Sequence, residues 1–284
     1  MGEWGSRSRW RPEWLLRCTA RAAALGLVWL AGFVDDLPEL GPPFRLLAQI
    51  GGALLLYFGG WRLPFASSAA LAIVAQCLFV VVFVNAFNFL DGADGLAAGI
   101  TAVIALGYAA MPGVGLSVLG YAVAWSLLGA CVGFLFFNFP PAKIFMEDSG
   151  STVLGFSAAF LGLDLMGARG GGVATGSMVF PFLIAGLPLL DALVVVRRRV
   201  TKGRSPFRGD RGHFYDFLLR AGWTARRVVV TGYLLTGVLG LLDWFTMQGG
   251  GRRSLILGGG IFAAMLVGAM RLGTVKQARY HVQL

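Results

Sequence analysis

Carboxylates recur in three clusters along an otherwise apolar chain: Asp35-Asp36, Asp91 with Asp94, and Glu147-Asp148. The protein has only 14 acidic residues, and each cluster lies at the edge of a long apolar run. Ionised carboxylates at such borders are costly unless something cationic keeps them there. A divalent metal together with a phosphorylated substrate would do so. The pattern therefore predicts a membrane enzyme and not merely a membrane protein.

Four runs carry the chemistry. In FVDDLPELGPPFRLLAQ (33–49), the adjacent carboxylates suit Mg²⁺ binding or base work on a phosphate or hydroxyl, and Arg45 suits a phosphate. The plainer reading is a polar loop between helices. In NAFNFLDGADGLA, starting at Asn85, the amides of Asn85 and Asn88 stand one helical turn apart. Asp91 and Asp94 follow, each trailed by a glycine, and a ligand site is favoured over a structural cap. In FNFPPAKIFMEDSGS (137–151), Pro140-Pro141 breaks the helix. Asp148 then reads equally well as a helix N-cap or as a metal ligand facing a diphosphate. In PLLDALVVVRRRVTKGRSPFRGDRGH (188–213), the arginines and His213 suit phosphate binding and proton transfer, beside a topology-setting role. Asp191 lies inside an apolar span, with Arg198 on the same helical face as its suggested partner.

These residues need a scaffold that holds them at a membrane edge. Hydrophobic residues make up 57% of the 284, and charged ones 13%, about half the usual share. Apolar runs near 22–34, 46–59, 69–90, 95–111, 115–137, 151–168, 175–196, 227–247 and 254–272 predict an all-α, polytopic transmembrane bundle of 8–9 spans. Residues 1–284 form one integral-membrane domain, with a basic segment at 1–21 and a basic loop at 197–226. Single crossings put every acidic cluster on one side together with the most basic loop, and the positive-inside rule makes that side cytoplasmic. The short run 22–34 would leave the basic N-terminus outside. It is therefore expected to be re-entrant or partly interfacial, unless further helices precede it.

The net charge of +10 resides in short loops beside spans, which points to lipid headgroups and not to nucleic acid. Cys18, Cys77 and Cys131 have neither metal nor disulfide spacing.

In this order, the four runs resemble the polyprenyl-phosphate N-acetylhexosamine-1-phosphate transferases, glycosyltransferase family 4. That group includes the phospho-N-acetylmuramoyl-pentapeptide translocase and the initiators of O-antigen and wall-polysaccharide synthesis. The likeness covers roughly residues 30–240. It implies transfer of a sugar 1-phosphate from a UDP-N-acetylhexosamine to undecaprenyl phosphate, with release of UMP. It also implies Mg²⁺ or Mn²⁺ as cofactor and a multi-pass protein of a bacterial inner membrane, open to homodimer formation. By the same resemblance Asp148 is the metal ligand, while Asp35, Asp36, Asp91 and His213 are catalytic. Arg45, Asn85, Asn88, Asp94, Asn138 and Arg211 would bind substrate.

Three features depart from the family pattern. Glu147 stands where the family usually has Gly, and one histidine remains of a multi-histidine signature. The helices and the Pro/Arg/Gly loop that normally precede the paired aspartates are not in this sequence. Phosphatidyltransferases with a DG-rich motif, and prenyltransferases with paired aspartate motifs, fail on spacing. An inactive scaffold and a transporter are the remaining alternatives, the latter resting on Asp164 and Asp191 near mid-span.

Overall fold

The computed structural model describes residues 12–37, 41–64, 67–167, 178–205, 212–248 and 251–281. The described residues form eleven helices and no strand. These are α1 (Pro12–Asp36), α2 (Pro42–Phe58), α3 (Ala69–Leu90), α4 (Leu96–Ala110), α5 (Val118–Asn138) and α6 (Glu147–Gly167). There follow α7 (Phe180–Ile184), α8 (Gly186–Thr201), α9 (Phe214–Arg220), α10 (Ala225–Gln248) and α11 (Gly251–His281).

Five of these are long and apolar enough to cross a membrane: Leu15–Asp36 of α1, and α3, α5, α6 and α10. With the shorter apolar helices beside them, they make a multi-pass helical membrane protein. Helix starts follow local chemistry. Ser68 and Ser117 cap α3 and α5, each accepting from an N–H three residues on.

Helix α6 is the axis of the bundle. In its span 83% of residues are buried, against 28–44% in the other four, and α1, α3, α4 and α5 pack around it. Lipid tails give no hydrophobic drive for helices to associate, so small residues that permit close packing do that work. A Cβ at Gly155 would sit 2.6 Å from the Val84 Cα, so α6 and α3 touch backbone to backbone there.

The first span departs from expectation. Helix α1 is continuous over 25 residues, not re-entrant, and runs straight through Arg17 and Arg21. The Arg21 guanidinium lies 4.6 Å from the centre of the Phe160 ring, so its head group rests on an aromatic face of α6. The predicted span 175–196 is split at Ala185 into α7 and α8. Pro188, which has no N–H to give the Ile184 carbonyl, accounts for the break. The predicted loop 197–226 is partly helical. Helix α8 continues to Thr201, and α9 begins in a capping box between His213 and Asp216.

The two mid-span acids on which a transporter reading rests are both engaged. Asp164 is buried and accepts from Trp61 Nε1 (3.0 Å), Ser117 N (2.8 Å) and Ser117 Oγ (2.7 Å). Asp191 is paired not with Arg198 but with the ring of His213, Nδ1 to Oδ2 at 2.6 Å.

Candidate active site

Asp35 and Asp36 are the last two residues of α1, where the helix dipole disfavours negative charge. Neighbouring donors offset that cost. Asp35 is buried, its Oδ1 accepting from Gly41 N (2.7 Å) and its Oδ2 facing Arg45 Nε at 3.3 Å. Asp36 reaches across to α6, where its two oxygens accept from Asp148 N (2.9 Å) and Ser149 N (3.0 Å). These are N–H groups of the first turn, which have no partner within a helix. Asp36 thus caps α6 from another helix. Gly32, one turn earlier, makes this possible: a Cβ there would lie 2.7 Å from the Ser149 Cα and 2.8 Å from the Asp148 carbonyl oxygen.

With its backbone held by Asp36, the Asp148 side chain faces the centre of the cluster. Its Oδ2 accepts from Arg45 Nη1, and its Oδ1 from Asn88 Nδ2. The Asn88 amide also donates to Ser151 Oγ at 2.9 Å, locking its orientation. Arg45 therefore bridges Asp35 and Asp148, and four helices (α1, α2, α3 and α6) meet at one point.

Asp91 follows α3 directly and belongs to the same field. Its carboxyl is pushed up to about 7, first by burial and then by repulsion from Glu147, Asp148 and Asp36. A carboxyl raised in the fold binds a proton that the unfolded chain has already released. Metal-free stability should therefore fall as pH rises from about 4 to about 7 and level off above, by a few kcal/mol at most. Asp91→Asn should flatten that slope in a thermal-unfolding series across pH. An unchanged slope would assign the effect to another group.

The sequence profile described as glycosyl transferase family 4 matches residues 19–166, which include every residue of this cluster. The chain belongs to glycosyl transferase family 4. It is 32% identical to a probable undecaprenyl-phosphate N-acetylglucosaminyl 1-phosphate transferase of Bacillus subtilis, over 77% of this chain and 63% of the relative. It is also 32% identical to a decaprenyl-phosphate N-acetylglucosaminephosphotransferase of Mycolicibacterium smegmatis, over 87% and 68%. An undecaprenyl-phosphate alpha-N-acetylglucosaminyl 1-phosphate transferase of Yersinia pestis shares 29% identity, over 78% and 63%. The chain thus spans roughly two thirds of the length of these curated relatives.

Other residues of this family 4 chain lie near the cluster without joining it. Asn85 Nδ2 donates to Gln49 Oε1 and to the Val81 carbonyl, both at 2.8 Å, so it ties α3 to α2 one turn deeper than Asn88. Asp94 and Asn138 brace the turn that leads into α6. Asp94 Oδ2 accepts from Ala142 N (3.0 Å), and Asn138 accepts from Gly95 N (2.9 Å) while donating to the Ile144 carbonyl (2.8 Å). Arg211 lies outside the described residues. His213 is buried at the start of α9, its ring beside those of Phe89 and Tyr215. The Tyr215 hydroxyl donates to the Phe89 carbonyl at 3.3 Å, which sets α9 against the turn that carries Asp91.

Sequence reasoning passed over Gln49, Ser151, Tyr215 and Gly32. Gly32 left a signal, a small residue four positions before a motif aspartate, and Ser151 closes the motif run 137–151.

Glu147 has a φ of 54°, the left-handed region where a Cβ is penalised. Glycine adopts it freely, and Glu147 stands where the family resemblance places glycine. Glu147→Gly should raise stability by about 1 kcal/mol, read as a rise of a few degrees in Tm. A lower Tm would contradict the strain.

Among the described residues, no three His, Cys, Asp or Glu side chains close on one point as a metal cage. Mg²⁺ asks for less, commonly one or two carboxylates with water and phosphate oxygens. The cluster suits that pattern. Glu147, Asp148 and Asp36 all press on Asp91, and Arg45 is the cation hydrogen-bonded within the group.

Proposed function

We propose that the chain transfers an N-acetylhexosamine 1-phosphate from a UDP-sugar to a polyprenyl phosphate such as undecaprenyl phosphate. The products are UMP and a lipid-linked sugar that begins a cell-envelope glycan. The observation that carries this reading is the Asp35–Arg45–Asp148–Asn88 network at one membrane end of the bundle. The polyprenyl-phosphate substrates in the names of the relatives support it.

In this reaction a phosphate oxygen of the lipid attacks the β-phosphorus of the UDP-sugar. The bond from that phosphorus to the bridging oxygen breaks, and the electron pair leaves with UMP. Two anions must approach, so catalysis is mostly charge neutralisation and in-line positioning. Asp148 is the residue to hold Mg²⁺ or Mn²⁺, which would supply charge neutralisation at the phosphates. Arg45 neutralises phosphate charge from the other side, and Asn88 keeps Asp148 in place.

Asp35, the base candidate by resemblance, has both oxygens engaged, Oδ1 accepting from Gly41 N and Oδ2 facing Arg45 Nε. Asp91, pushed up to about 7, is better matched to taking the remaining proton of the lipid phosphate at neutral pH. The site faces the cytoplasm of a bacterial inner membrane in this account, where nucleotide sugars are found.

The test is purified protein with Mg²⁺, undecaprenyl phosphate and a panel of UDP-N-acetylhexosamines. UMP should appear with at least one sugar and only with the lipid present. Silence across the panel, beside an active relative, would favour an inactive scaffold.

A further inference from the structure

We infer that Asp191 is a positioning residue that fixes the ring tautomer of His213, leaving Nε2 as the nitrogen that serves the phosphates; this rests on the transferase reading above. Asp191 lies in α8, five residues beyond its start, and is 7% exposed; His213 is 5% exposed. The carboxylate does two jobs at once. Its Oδ1 accepts from Phe214 N at 2.8 Å, and its Oδ2 lies 2.6 Å from His213 Nδ1. A carboxylate only accepts, so Nδ1 must carry a proton and Nε2 is left to accept, or to donate when the ring is charged.

The same helix also holds the chain at the residue before His213. Arg198, seven residues on from Asp191, donates from Nη1 to the Gly212 carbonyl at 2.5 Å. A Cβ on Gly212 would lie 1.7 Å from that nitrogen, so only glycine lets the arginine lie across the backbone here. Asp216 accepts from His213 N at 3.0 Å. The backbone at 212–214 is therefore held at three successive residues, and the ring is stacked on Tyr215, 5.2 Å away with planes 4° apart. Tyr215 itself is placed against the Asp91 turn: a Cβ on Gly92 would lie 2.0 Å from its hydroxyl oxygen. This much restraint on one imidazole beside the acidic cluster serves orientation. Helix α9, only seven residues long, would not need it.

Asp191→Asn separates positioning from packing. The asparagine carbonyl can still accept from Phe214 N, but its NH₂ then faces Nδ1. That forces the ring to accept at Nδ1 and to carry its proton on Nε2. The chain has two histidines, so ¹⁵N-histidine labelling gives two ring spin systems, and His281→Gln assigns His213.

The Nδ1–H form is expected in the wild type and the Nε2–H form in Asp191→Asn. Turnover should fall about 10²- to 10⁴-fold with the KM for the UDP-sugar little changed. In a His213→Gln background the same substitution should cost little more. An Nε2–H ring in the wild type would overturn the inference, whether or not the variant folds. So would an Asp191→Asn enzyme with a switched tautomer and undiminished turnover. A wild type silent with every substrate would instead count against the transferase reading, because the NMR result stands without activity.

Discussion

Asp148→Asn should lower turnover by at least about 10³-fold while the protein still folds, inserts and unfolds at nearly its original temperature. The two halves of this expectation have separate causes. Asparagine keeps an oxygen for Arg45 or Asn88, and the cap of α6 comes from Asp36 acting on the Asp148 and Ser149 backbone. The fold therefore loses little. The lost charge is the one assigned to the metal. UMP release measured beside a thermal-unfolding curve checks both halves. Full activity would refute the metal assignment, and collapse of the fold would show that Asp148 is chiefly structural.

Asp36→Ala is the second large effect and has the opposite signature. Removing the acceptor of two helix-start N–H groups should cost about 1–2 kcal/mol and lower Tm by several degrees. It should also let the first turn of α6 drift, and a displacement near 1 Å at Asp148 is enough for roughly a 10²-fold loss in turnover. Asp36→Asn, which retains one accepting oxygen, should fall between the two. If Asp36 instead touched the sugar directly, Asp36→Ala would leave Tm unchanged and raise the KM for the UDP-sugar. Measuring Tm and KM on the same samples distinguishes the cases.

The sequence made the gathering of acids at one membrane end legible, because apolar runs alternate with loops and only alternate loops carry carboxylates. It placed the runs that carry Asn88, Arg45 and Asp148 on that same side, but not their direct contacts. It did not reveal that Asp36 caps α6, because that bond joins residues 112 apart and depends on the close approach at Gly32. Nor did the i, i+3 spacing of Asn85 and Asn88 show that one meets Gln49 while the other meets Asp148. Helical pitch gives a face but not the neighbour that covers it. Local periodicity suggests Arg198 as a partner for Asp191 because it sees only its own helix, whereas the ring that meets Asp191, His213, arrives from a different element. The continuity of α1 was hidden by two arginines that read as a boundary. Arg21 is accommodated by the Phe160 face of α6, a tertiary contact that hydropathy does not register.

The most direct measurement follows the β-phosphate. UDP-N-acetylglucosamine labelled with ³²P at that position is incubated with the purified protein, Mg²⁺ and undecaprenyl phosphate, and the lipid and aqueous phases are separated. Transfer of a sugar 1-phosphate predicts label in the lipid and unlabelled UMP in water, in equal amounts. Label recovered as UDP with sugar on the lipid would mean that the glycosidic bond breaks instead, and would contradict the account.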